Sequence, residues 1–139
     1  MLNNSNYIDK LRSSGLRPTK QRIKICEIWF NSKNTLHLTI NDLVKKISKT
    51  ANDKISLATV YNTVHAFKKK GYLKEIPINS DQSYFDTNTS HHHHFYDENQ
   101  KDLIDIDDAD VEPVKINTKK KKKKIKSVEV LVKVEDINS

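Results

Sequence analysis

Four of the chain's six histidines stand side by side, His91 to His94, in the stretch NTSHHHHFYDENQ. Imidazole nitrogen is a general ligand for transition metals, and a short histidine-rich tract suggests a binding site. In an extended segment, alternate side chains face opposite ways. If residues 91–96 are extended, His92 and His94 share one side and His91 and His93 the other, so each pair can serve a different site. The run is internal and leads directly into Phe95 and Tyr96, unlike an appended tag. Cys26 is the single cysteine, which excludes an intramolecular disulfide and any multi-cysteine metal centre. Its place among apolar neighbours in KQRIKICEIWF makes it a small core residue rather than a reactive thiol.

A second stretch, ISLATVYNTVHAFKKKGYL, has a different chemistry. Read as a helix, it turns Leu57, Val60, Val64 and Phe67 inward. Ala58, Asn62, His65 and Lys69 fall on the opposite side, flanked by Thr59 and Tyr61. A helix that reads bases in a major groove needs small residues for close approach, an amide for adenine N6/N7, and cations for phosphates. The lysines at 68–70 also suit a helix C-terminus in any protein.

Other elements must position these residues. Residues 1–15 suggest a short amphipathic helix stopped at Gly15. A helix capped by Thr19 follows in LRPTKQRIKICEIWF, with Ile23, Cys26 and Phe30 on one face and Ile25 and Trp29 beside it. A third helix begins after Thr39 and turns Leu43, Val44 and Ile47 inward. The segment ANDKI is a turn, and Ser56 and Gly71 cap the fourth helix. The period then becomes two, so YLKEIP and SYFDT are strands joined by INSDQ. Three helices and a hairpin in this order make a winged helix-turn-helix.

Beyond it, DLIDID is a short acidic strand, DADVEPV at most one or two helical turns, and IKSVEVLVKV a strand with Val128, Val130, Val132 and Val134 on one face. Strands this few cannot bury a core alone, and pairing with a second copy would supply one. The expected fold is therefore α+β: a winged-helix DNA-binding domain over 1–87 and a small α/β dimerisation and sensing domain over 88–139. The lysine block 119–124 reads as a solvated loop. The balance of 25 Lys and Arg against 18 Asp and Glu, with a pI of about 9.4, suits a polyanionic partner such as double-stranded DNA. No apolar run approaches the ~18 residues of a membrane span, and MLNNSNYIDK has no leader-like apolar core, so a cytoplasmic protein without a membrane partner is expected.

GLRPTKQR, SLATVYNTVHAFKKKGYL and HHHHFY together resemble the ferric uptake regulator (Fur) superfamily over residues 8–136. The resemblance implies a dimeric, metal-responsive transcription factor with a winged-helix domain and a small dimerisation domain. SYFDTNTSHHHHFYDENQKDLIDI is more similar to the iron response regulator branch. FYDENQ stands where Fur proteins typically carry Cys-x-x-Cys, so the structural tetra-cysteine zinc site is absent. The stretch between DLIDI and VEVLVKV is too short for the longer dimerisation helix of Fur. The branch implies a response to iron through haem status and action on iron and haem genes.

Residue by residue, the resemblance assigns DNA contacts to Tyr61, which matches a tyrosine that touches thymine methyls and backbone, and to Arg22 in the TxxR segment. Asn62 replaces a family arginine, which moves base preference from guanine toward adenine and favours an AT-rich operator. Ala58, Thr59 and Lys69 complete the reading face. The family's regulatory site maps onto His37, Asp86, His92 and His94, with Asp105 as a fifth ligand. This set of nitrogen and oxygen donors suits Fe(II), Mn(II) or Zn(II). A second metal or haem site would use His91, His93 and Glu112. Its family histidine from the last strand is missing, with Lys126 or Ser127 in that place. Haem needs only one or two axial imidazoles, so the same histidines can serve it instead. The expectation is a homodimeric regulator of iron and haem genes. Its rivals are a metal-corepressed Fur-, manganese- or zinc-type regulator and a winged-helix binder without working sensing. With no phosphate loop and no histidine partnered as a general base, an enzyme is not expected.

Overall fold

The computed structural model describes residues 4–31, 33–50, 54–117 and 122–137. The chain divides into two compact units, 1–89 and 90–139. The division falls two residues after the boundary expected from sequence.

The N-terminal unit runs α1 (Asn4–Ser13), α2 (Lys20–Phe30), β1 (His37–Leu38), α3 (Ile40–Thr50), α4 (Leu57–Lys70), β2 (Lys74–Pro77) and β3 (Ser83–Asp86). Local chemistry fixes the helix ends. Thr19 Oγ1 accepts the Arg22 N–H to open α2, and Ser56 Oγ accepts the Thr59 N–H to open α4. At α3 the capping is reciprocal: Thr39 Oγ1 accepts from Asp42 N, and the Asp42 carboxylate accepts from Thr39 N. Gly71, at φ 95°, closes α4 in the left-handed conformation, and its N–H bonds back to the Phe67 and Lys68 carbonyls. The helices meet over Leu11, Ile25, Cys26, Trp29, Leu43, Ile47, Val60, Val64 and Phe67, with Phe85 entering from the wing.

Two readings of this unit change. Leu57 is 59% exposed, because the first turn of α4 projects beyond the core. Thr63 is fully buried in its stead, which α4 tolerates because its hydroxyl donates to the Thr59 carbonyl at 2.7 Å. The wing also gains a third strand: β1 pairs antiparallel with β3, in the order β1-β3-β2. The turn expected at ANDKI rests largely on residues 51–53, outside the described residues.

The C-terminal unit has β4 (His93–Asp97), β5 (Asp102–Ile106), a single 3-10 turn (Asp108–Asp110) and β6 (Leu131–Val134). β4 is central: antiparallel to β5, and parallel to β6. The last strand is shorter than the alternation over 125–134 suggested. Tyr96, Leu103 and Ile106 are buried. On the other side, Phe95 stands between Ile104 and Val132 in register, and all three are exposed. A 50-residue unit with its central aromatic in solvent has more apolar surface than its own core covers. Of the lysine block, residues 122–124 are exposed, and 119–121 lie outside the described residues.

Candidate metal site and DNA-reading face

The alternation expected of the histidine run is present. His92 and His94 are buried, 9% and 4% exposed, and their rings lie 4.3 Å apart between centroids. β5 supplies a carboxylate because His94 stands opposite Asp105 in the antiparallel register, and opposite residues share a face. Asp105 Oδ1 is 3.1 Å from His94 Nε2 and 3.5 Å from His92 Nε2. The ligand atoms of these three residues all lie within 4.8 Å of one another. His92 Nδ1 lies 2.8 Å from the Ser90 carbonyl. A carbonyl only accepts, so Nδ1 carries the proton and the lone pair is left on Nε2, the atom facing Asp105. Metal-binding histidines are oriented in this way, by donating their second nitrogen to a carbonyl or carboxylate. Two buried imidazoles and a half-exposed carboxylate that converge fit a divalent cation with mixed nitrogen and oxygen preference.

In the N-terminal unit, Asp86 ends β3 and is 1% exposed, and its Oδ1 accepts the Asn88 N–H at 2.8 Å. His37 on β1 stands directly opposite it, and the His37 ring packs edge-on against Tyr84 at 5.9 Å. On the other neighbouring strand Lys74 faces Asp86 in register. Burial lowers the Lys74 pKa, and the Asp86 charge works against that shift.

The second set is arranged differently. His93 Nδ1 accepts the Val130 N–H at 2.8 Å, so its lone pair is already engaged in holding the chain at the start of β6. A metal on Nε2 would then require the ring to lose both protons. His91 is largely exposed, with Nδ1 3.4 Å from Glu129 Oε1. Glu112 is exposed beyond the 3-10 turn. Among the described residues, no group of three ligand atoms forms around His91, His93 and Glu112. No sequence signal pointed to the His93–Val130 bond, because its partners are 37 residues apart.

On α4, Ala58, Tyr61, Asn62 and Lys69 are exposed and Thr59 half-buried, its hydroxyl 2.7 Å from Ser56 Oγ. Arg22 Nη1 donates to the Arg17 carbonyl at 2.8 Å, which ties it to the loop before α2. The wing is braced to α4 by Glu75, which accepts from Lys68 and from Ser83. Burial raises the Glu75 pKa, but these hydrogen bonds and the Lys68 charge outweigh it and hold the carboxyl below its ordinary value.

The model of the Ferric uptake regulator family matches residues 13–134. The chain belongs to the ferric uptake regulator family. Two relatives are the Peroxide operon regulator of Bacillus subtilis, 35% identical over 99 residues (70% of this chain and 66% of that protein), and the peroxide-responsive repressor PerR of Staphylococcus saprophyticus, 35% identical over 85 residues (61% and 55%). The chain thus spans between 55% and 66% of these relatives' length. Its fold is similar to that of the Vibrio cholerae Fur at TM-score 0.69 and 20% identity, covering 93% of this chain and 98% of that one. It is also similar to the Pseudomonas aeruginosa Fur with manganese, at TM-score 0.61 and 21% identity, covering 98% of each. A zinc-bound manganese uptake regulator matches at TM-score 0.63 and 20% identity, over 93% of this chain and 97% of that one.

Fur-family proteins are transcription regulators that bind DNA as dimers. Membership accounts for the winged helix followed by a small α/β domain. The narrower likeness to the iron response regulator branch is not repeated among these relatives, which are peroxide-responsive and Fur-type regulators. Among the described residues, no helix is long and apolar enough to cross a membrane.

Proposed function

We propose that this Fur-family protein is a dimeric repressor whose grip on an AT-rich operator is set by a divalent metal held by His92, His94 and Asp105, with Asp86 and His37 completing the site. The supporting observation is the buried imidazole pair, with the His92 Nδ1 proton directed at the Ser90 carbonyl and both Nε2 atoms close to one carboxylate oxygen. This donor set favours Fe(II) or Mn(II), with Zn(II) a competitor, because carboxylate oxygens beside imidazoles suit these ions. At His92 and His94 haem draws no support: an axial imidazole needs open space above its nitrogen for a macrocycle, and these two rings are buried against a carboxylate. The exposed row Ile104–Phe95–Val132 is the surface a second copy would cover.

The test is fluorescence anisotropy of chelator-treated protein on AT-rich promoter DNA at fixed salt, followed by Mn(II). Binding that appears with Mn(II) supports the proposal, and metal-free binding unaffected by Mn(II) defeats it. A second reading follows from the 35% identity to peroxide-responsive repressors. With Fe(II) in the site, peroxide would release the DNA, whereas the Mn(II)-loaded protein would stay bound.

A further inference from the structure

His65 lies outside the metal site, yet its ring has two aromatic neighbours. On one side it stacks on Tyr61, with centroids 4.1 Å apart and planes tilted by 43°. On the other it meets the edge of Phe85, at 5.7 Å and 80°. The i, i+4 spacing explains the first contact, since helical side chains lean toward the N-terminus and place residue 65 over the turn that carries residue 61. The second contact is a firm backstop. Phe85 is 2% exposed and sits in the central strand of the wing, between Leu38 and Glu75 in register. Tyr61 is 53% exposed, and a tyrosine that far into solvent would otherwise sample several rotamers. These side chains also line a cleft of about 350 Å³ between α4 and the wing, with Thr39, Leu57 and Ser83.

We propose that His65 is a positioning residue for DNA reading: its ring, wedged between Phe85 and Tyr61, holds the Tyr61 ring in the orientation that meets a base. This rests on the reading of α4 as the DNA-contacting helix. Preorganising one ring removes an ordering cost at the moment of binding, so the effect falls on affinity and on discrimination at the base beneath Tyr61. The stacking needs an aromatic face and not a charge, which separates it from a phosphate contact by an imidazolium.

The experiment is a double-substitution cycle, read by anisotropy at pH 8 on a duplex that the wild-type protein selects from randomised DNA, with helicity of each variant checked by circular dichroism. His65→Ala is expected to weaken binding about three- to tenfold, the range of an aromatic pair. His65→Phe should stay within about twofold of wild type, and His65→Lys should not rescue. In a Tyr61→Ala background, His65→Ala should cost almost nothing further, because its action passes through the tyrosine. Wild-type affinity in His65→Ala with loss in Tyr61→Ala would overturn this inference alone. Equal losses from His65→Ala in both backgrounds, or rescue by lysine, would make His65 a direct contact and overturn it as well. Unchanged binding in Tyr61→Ala would defeat both the inference and the DNA-reading assignment of α4.

Discussion

Replacing His94 with alanine separates a real cation site from a run of histidines. With Mn(II) at about 100 times its dissociation constant, a site present only in the folded state stabilises the protein by about 2.7 kcal/mol. His94 supplies one of the donor atoms gathered in the C-terminal unit. Its ring is 4% exposed and its Nε2 lies 3.1 Å from Asp105 Oδ1, so its loss leaves a buried gap beside the carboxylate. Loss of an outer-shell partner alone weakens metal binding ~10–100-fold, so loss of a direct ligand is expected to cost at least about 100-fold. The same Mn(II) concentration then equals the variant's dissociation constant and stabilises it by only about 0.4 kcal/mol. At about 4 °C per kcal/mol, a metal-induced rise of about 10 °C in the wild type shrinks to about 2 °C in the variant. The assay is a thermal melt of each protein, chelator-treated and then loaded with Mn(II), comparing the rise rather than the absolute Tm. His91→Ala is the control: that side chain is 64% exposed and beside Glu129, so the full rise should remain. Equal rises in wild type and His94→Ala would refute the site, and equal losses in both variants would show that the run acts only through its charge and composition.

Three further outcomes follow from the same geometry. Phe95 and Ile104 are 37% and 46% exposed. Changing both to serine removes about 2 kcal/mol of burial per protomer, or about 4 kcal/mol across a two-fold interface, so sedimentation over a dilution series should show the dimer weakened about a thousandfold; an unchanged dimer would place the interface elsewhere. Glu75 is held below its ordinary pKa, so its contribution is present above ~4.3 and lost as pH falls through the lower folded value. The stability gap between wild type and Glu75→Gln in urea melts should therefore be about 0.5–1 kcal/mol at pH 6 and shrink toward pH 3, and a gap that widens would reverse the sign. Burial pushes the Cys26 thiol up to about 12, with the Glu27 charge adding to it against the Lys10 charge. A thiol reagent should leave the native protein unlabelled at pH 8 and modify it only in denaturant, and rapid native labelling would show the α2 core to be open.

Much of the molecule was legible along the chain, because its signals are local. Thr19, Ser56 and Gly71 act on their own helices, and the alternation of His92 and His94 against His91 and His93 follows from the pleat of a strand. The motifs in α4 and the histidine run were enough to point to the family. What the sequence by itself could not determine depends on partners far apart in the chain. Which carboxylate meets the histidine pair was decided by the β4–β5 register, which puts Asp105 opposite His94. The bond that engages His93 Nδ1 was decided by parallel pairing with β6, which brings the Val130 N–H onto its ring. The exposure of Leu57 and the burial of Thr63 were decided by how α4 lies on the core. Phe85 became a backstop for His65 only because the wing folds onto α4. Local pattern specifies which face a residue takes, because that face is set by backbone geometry within a turn or a pleat. Tertiary packing specifies what that face meets, because strand register and helix docking bring together atoms that the chain keeps far apart.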